Sequence, residues 1–103
     1  MLMTKALAKA LPPLRSQDGK GDEAIVYASY FSIFSQWRWG VLEYDPATGE
    51  AFGLVIGQET ELGYFSVPEL QDVTQRGCPA IERDRYFDPC TLGEWKSAHH
   101  LMI

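Results

Sequence analysis

The sequence predicts an α+β fold: a mainly antiparallel sheet of about four strands with helices packed on one face. Three observations carry this. Residues 36–57 read as a long β-hairpin, further runs rich in β-branched and aromatic residues flank it, and capped helix patterns stand on either side at 4–11 and 67–75. In the hairpin, Gln-Trp-Arg-Trp-Gly-Val-Leu-Glu-Tyr-Asp and Glu-Ala-Phe-Gly-Leu-Val-Ile-Gly are joined by Pro46-Ala47-Thr48-Gly49. Pro46 presets φ for the turn and Gly49 can take the left-handed position that closes it. With Asp45 facing Glu50, Val41 faces Leu54 and Trp39 faces Ile56. Trp37, Trp39, Val41, Phe52, Leu54 and Ile56 then share one inward face. A one-residue slip exchanges the faces and sets Leu42 beside Phe52, so the inward set depends on the register.

Taken in order, Thr4 caps a short helix over 4–11, with Leu2, Leu7 and Leu11 on its apolar side and Lys5 and Lys9 on the wet side; Pro12 and Pro13 end it. Residues 16–22 form a polar loop containing Gly19-Lys20-Gly21. A phosphate-binding loop needs Lys followed by Ser or Thr opening a helix, whereas Lys20 is followed by Gly21, Asp22 and a strand pattern, which leaves a connecting loop. Ala24-Ile-Val-Tyr-Ala-Ser-Tyr-Phe31 reads as a strand apolar on both faces, and the antiparallel sheet is expected to span 24–65, closing with Leu62-Gly63-Tyr64-Phe65-Ser66. Ser66 caps the next helix, 67–75, with Pro68 in its first turn, Glu69 completing a capping box, and Leu70 and Val73 facing the sheet; Gly77 and Pro79 end it. Residues 81–89 alternate charge before Tyr86 and Phe87, as an edge strand carrying charges against further pairing would. Thr91-Leu92-Gly93-Glu94 is a second capping box, opening a helix that holds Trp95, and 97–103 is expected to be a flexible tail.

The chain's 103 residues suit one domain, residues 1–103, of a size that buries roughly two-thirds of the surface its unfolded form exposes. A hydrophobic content of 46% supplies a core and argues against disorder. The sequence has neither an apolar run of membrane-crossing length nor a signal-peptide pattern, which implies a cytoplasmic protein without a membrane partner, and its two cysteines are too few for a disulfide scaffold. Net charge is −5, concentrated mid-chain: residues 23–76 hold eight acidic and two basic side chains. Such a surface repels phosphate backbones and suits a basic protein surface, so a protein partner is expected and direct nucleic-acid binding is not.

No constellation makes a convincing catalytic or metal centre. Cys78, Cys90, His99 and His100 could be written as a zinc set, yet the cysteines lie twelve positions apart and no ligand pair has knuckle spacing, so no metal and no cofactor are expected. A cysteine nucleophile would depend on histidines in the tail. Glu59 and Glu61, with Glu43 or Glu69 nearby, could pair for hydrolysis or hold a hard cation, but a polar turn offers little burial to shift their pKa values. Glu82, Arg83, Asp84 and Arg85 could recognise a partner or pair among themselves. Trp37, Trp39 and Tyr44 could stack bases, but no basic groove accompanies them and core packing is the better reading. The candidate partner-binding residues are therefore Glu59, Glu61, Glu69, Asp72, Arg83 and Arg85.

Leu11-Pro12-Pro13-Leu14 with Ser16-Gln17-Asp18-Gly19, the Trp37-x-Trp39 hairpin, Glu61-Leu62-Gly63-Tyr64-Phe65-Ser66, and Glu82-Arg83-Asp84-x-Tyr86-Phe87 together resemble a known family. It is a family of small uncharacterised bacterial proteins, a domain of unknown function often encoded on plasmids and integrative elements. The resemblance runs from about Leu7 to Trp95 and transfers no functional residue. It implies an accessory protein of a mobile element, and such elements also carry inhibitors of host defence, small acidic anti-CRISPR proteins among them. The expected function is thus a small acidic, non-enzymatic interaction module, an inhibitor that occupies a basic surface of a host nucleic-acid-targeting complex. The alternative is a small enzyme or ligand-binding module using the carboxylates of the Glu59–Glu61 turn.

Overall fold

The structure, a computed structural model, describes residues 1–99. Thr4 Oγ1 accepts a hydrogen bond from the Leu7 N–H and opens α1 (Lys5–Ala10), and the polar loop that follows includes a 3-10 turn at Gly21–Glu23. The strands that come next are β1 (Ile25–Val26), β2 (Ala28–Ser32), β3 (Arg38–Asp45), β4 (Glu50–Ile56) and β5 (Thr60–Ser66). Beyond them lie α2 (Val67–Asp72), β6 (Thr74–Gln75), β7 (Cys78–Pro79), β8 (Ile81–Arg83), β9 (Cys90–Thr91) and α3 (Leu92–Ala98). The main sheet has five antiparallel strands in the order β5-β4-β3-β2-β8; β1–β9 and β6–β7 are separate two-stranded pairs.

The expected α+β arrangement, with helices covering one face of a four-stranded sheet, is overturned. The described residues are mostly β, with nine strands in three sheets, and the three α-helices are only six, six and seven residues long. They do not form a layer. Leu7 and Ala8 of α1 and Val67 and Leu70 of α2 pack on a core built on Tyr30, Trp39, Val41 and Ala51, whereas Leu92 and Trp95 of α3 join Val26, Leu42 and Leu54 in a second core. The physical reason lies in the central strands. Both of their faces are apolar, so each face needs cover, and helices of one or two turns are too short to supply a continuous layer.

A bulge produces the second apolar face. Asp45 pairs with Glu50 as expected, and Gly49, at φ +80°, closes the turn with its N–H on the Asp45 carbonyl at 2.8 Å. The register then shifts between Val41 and Glu43, so Trp39 meets Val55 and Val41 meets Gly53, not Ile56 and Leu54. Trp39 and Val41 therefore line one core, while Leu42, Phe52, Leu54 and Ile56 line the other. The six inward residues named from the sequence are divided between the two faces, because one inserted residue exchanges the side on which every later partner points.

At the bulge, Glu43 is 1% exposed, and its carboxylate accepts from the backbone N–H groups of Arg15 (2.7 Å) and Gln17 (2.8 Å). The buried Gln17 amide donates to the carbonyls of Ile25 and Leu42 and accepts from the Ile25 N–H. Charge-assisted bonds of this kind offset the desolvation of the carboxylate and tie residues 12–20 to the sheet. The loop that invited comparison with a phosphate cradle thus wraps the protein's own anion, with Arg15 at φ +72° turning the backbone toward it.

Three further elements differ from expectation. The strand foreseen at 24–31 breaks at Tyr27, whose N–H goes to the Val41 carbonyl beside the bulge, so β1 leaves to pair with β9. The helix foreseen to residue 75 stops at Asp72. Val73 is extended, and Arg76 and Gly77, both at positive φ, make the two-residue turn of the β6–β7 hairpin. Of the tail foreseen from 97, Ser97 and Ala98 belong to α3 and His99 caps it, while residues 100–103 lie outside the described residues. Trp95, 1% exposed, anchors α3 by laying its indole against Gly40 and donating from Nε1 to Ser29 Oγ at 3.1 Å.

Candidate functional site

The β5 side of the main sheet carries a concavity that includes two of the residues predicted to bind a partner, Glu59 and Glu61. Its floor begins with Trp37 and Trp39, two positions apart at the start of β3 and hence on one face. Their rings tilt at 36° with centroids 5.9 Å apart. Trp39 is 6% exposed and belongs to the core; Trp37, expected inward as well, is 41% exposed. The reason is position: β3 starts at Arg38, so Trp37 lies just outside the paired strand, where its indole rests over Gly57. Across the sheet, Trp39 pairs with Val55 and Val55 with Glu61. Two pairs further along, on the same face, Gly53 meets Gly63, and both lack a side chain.

These residues enclose a groove of about 410 Å³, rimmed by Glu59 and Glu61 and closed at the far side by Phe65. A second, more apolar depression of about 260 Å³ shares Trp37 and Trp39 and continues over Phe34, Leu70, Val73 and Ile81. Phe34, Trp37 and Val73 are all exposed, so an aromatic and aliphatic surface crosses this end of the sheet. Both rim carboxylates are exposed, and among the described residues neither is held in an ion pair, since Lys96–Asp22 is the pair found there.

The six candidate residues do not converge. Glu59 and Glu61 rim the groove, whereas Glu69 and Asp72 are exposed on α2 and line neither depression. Arg83 lies on β8, at the opposite edge of the sheet, and Arg85 just beyond it. Four strand-to-strand steps of about 4.8 Å separate those edges, so the arginines stand roughly 19 Å from β5. Both line a small separate pocket of about 140 Å³ with Gln71 and Glu82, and Arg83 Nε is buried there without a hydrogen-bond partner. The sequence reading missed the exposure of Trp37 and the notch at Gly63. The signal for the first is that Trp37 precedes the paired strand; for the second, it is a glycine amid Leu62, Tyr64 and Phe65.

Among the described residues, no three His, Cys, Asp or Glu side chains gather to hold a metal ion. Cys78 is exposed on β7 and Cys90 partly buried on β9; burial, and then the Glu94 carboxylate, push the Cys90 thiol up, away from the reactive thiolate. His99 does not hang in a tail. Its Nδ1 lies 2.8 Å from the Trp95 carbonyl and its ring 4.3 Å from the Trp95 ring, while His100 lies outside the described residues. Glu43 cannot join Glu59 and Glu61, because its carboxylate is consumed at the bulge. No helix among the described residues is long and apolar enough to cross a membrane.

Neither a curated protein nor a solved structure matches this chain significantly. A family model does match, over residues 2–100, and the chain accordingly belongs to the family described as protein of unknown function (DUF2958).

Proposed function

We propose that this protein is a small, non-enzymatic interaction module, an accessory of a mobile genetic element working in the cytoplasm, which inhibits a host nucleic-acid-targeting complex by occupying one of its basic surfaces. The observation that carries the reading is the groove beside β5, where an aromatic floor of Trp37 and Trp39 meets the free carboxylates of Glu59 and Glu61. Tryptophan supplies large contact area with little lost freedom, and rim carboxylates steer a basic partner and repel competing phosphates. The acidic middle of the chain adds to that field. The mobile-element setting rests on the family resemblance, and the defence-complex partner on analogy with other accessory proteins of such elements.

The test is affinity capture from the host with mass spectrometry, using wild type and Glu59→Lys/Glu61→Lys side by side. A stoichiometric nucleic-acid-handling partner is expected with wild type. The double reversal should slow association, most at low ionic strength, because rim charges act chiefly on the on-rate. Binding indifferent to both substitutions and to salt would sink the charge-based mechanism. Absence of any partner, together with turnover abolished by Glu59→Gln or Glu61→Gln, would favour the carboxylate enzyme.

A further inference from the structure

We infer that the outer edge of β5 accepts an extended, basic peptide segment as a sixth strand, with one lysine or arginine side chain of that segment lying in the notch over Gly63. The inference rests on the groove being the contact surface and names the binding mode and the partner's chemistry. β5 runs seven residues in unbroken register against β4, from Ile56↔Thr60 to Glu50↔Ser66, and no described residue pairs with its other side. A long, flat edge of this kind presents a row of unpaired N–H and C=O groups that an extended segment can satisfy. It has no proline, lysine or bulge to discourage pairing.

The side chains select the occupant. On the groove face the alternating residues of β5 are Glu61, Gly63 and Phe65. A Cβ on Gly63 would have nothing within 4 Å, and its inward neighbour Gly53 also lacks a side chain, so a gap stands between the Glu61 carboxylate and the Phe65 ring. An added strand sends every second side chain over this face. A long aliphatic stem fills the gap, and its cationic head reaches Glu61 and Glu59 beside the Trp37 and Trp39 rings, the setting for combined ion pairing and cation–π attraction. On the opposite face Leu62 and Tyr64 are each 52% exposed, and Tyr64 is held by Phe52 at 4.8 Å. The intervening side chains of the segment cover them, so the segment that fits alternates basic and apolar. A second copy, paired edge to edge about Gly63, would set Gly63 against Gly63, leaving the notch empty, and would join two chains of net charge −5.

The test starts from a display library of random nine-residue peptides selected on the purified protein. Expected are sequences with Lys or Arg at alternating positions that move the amide resonances of residues 60–66 and the Trp37 indole signal. Methylating every second backbone nitrogen of such a peptide should weaken it about tenfold or more, and so should Gly63→Val, which fills the notch of a folded protein. Selected peptides that tolerate N-methylation or Gly63→Val overturn the inference. If they still depend on Trp37 and on Glu59 and Glu61, the interaction-module reading survives that failure. Peptides indifferent to those three side chains, or no selection above a Trp37→Ala control, overturn the inference and count against the reading beneath it. A dimer in sedimentation that Leu62→Lys splits assigns the edge to a second copy instead and also overturns the inference.

Discussion

β8 closes one side of the main sheet with three residues, two of them the charged Glu82 and Arg83, and Asp84 and Arg85 follow directly. β5 closes the other side with seven residues that leave Leu62 and Tyr64 half exposed. The charges that keep a neighbouring strand from adding to an edge are thus present at β8 and missing along the middle of β5. Short strands pair weakly with a newcomer, and charged ones resist desolvation; β5 is long, and its one charge, Glu61, lies near its start. The difference teaches that the open edge is a property of one segment, coupled to the groove its own residues rim, and not a general consequence of building a small sheet.

The largest effect should come from the centre of the row that ends at the open edge. A Cβ on Gly53 would lie 1.9 Å from the Gly40 carbonyl oxygen, a clash with backbone that cannot turn away. Gly53→Ala should therefore cost about 4 kcal/mol or more, or prevent folding, whereas Gly63→Ala at the outer end should change stability by no more than about half a kcal/mol. Urea unfolding of the two variants checks this, and equal losses would show that the edge is as tightly packed as the centre.

The two tryptophans of the groove should separate next. Trp39→Ala should cost about 3–5 kcal/mol through lost burial and the cavity left behind. Trp37→Ala, at a half-exposed ring, should cost about 1 kcal/mol or less while still removing partner binding. A Trp39 variant as stable as wild type would place the core boundary elsewhere and reopen stacking on that ring.

Exchanging the character of the edges should matter more for association than for stability. Leu62→Lys on β5 and Glu82→Val on β8 should each stay within about half a kcal/mol in unfolding experiments. Light scattering should show wild type and Leu62→Lys alike, since the β5 edge is not taken up by a second copy, and self-association raised by Glu82→Val. Identical scattering for both would mean that side-chain charge does not govern pairing at these edges.

The smallest effect lies away from both edges, at the capping box of α3. Hydrogen bonds from Thr91, first its backbone N–H and then its hydroxyl, hold the Glu94 carboxyl below its ordinary range. A depressed folded-state pKa contributes stability that is present above the unfolded value and lost as the pH falls through the folded one. Wild type should therefore lose slightly more stability than Glu94→Gln on acidification below the ordinary carboxylate pKa of 4.5, with β5 binding unaffected. Parallel pH–stability curves would remove the capping carboxylate from the account.

Elements written in a few adjacent residues were legible. The Pro46–Gly49 turn, the Thr4 cap, the Thr91–Glu94 capping box and the charged edge strand at Ile81 all depend on neighbours within one turn or one pair. The helix at 67–75 was legible at its start, where Ser66 accepts from the Glu69 N–H, but not at its end. Residues 74–79 pair instead as a hairpin, turned at Arg76 and Gly77 by positive φ. Of the candidate site, Glu59 and Glu61 were legible as an exposed acidic turn, but their separation from Arg83 and Arg85 was not, because it depends on which strands end up at the two edges.

By itself, then, the sequence determined the strand-rich middle, the turns and caps, and the net negative charge. All of these follow from composition or from interactions between near neighbours. Only the tertiary structure decided the bulge at Leu42, the division of the hairpin's apolar residues between two cores, the burial of Glu43 by the Arg15–Gln17 loop, and the groove beside β5. Each of these depends on register. With a side-chain period of two, a single inserted residue moves every later partner to the other face, and the contacts that favour the insertion come from a loop some 26 positions away in the chain.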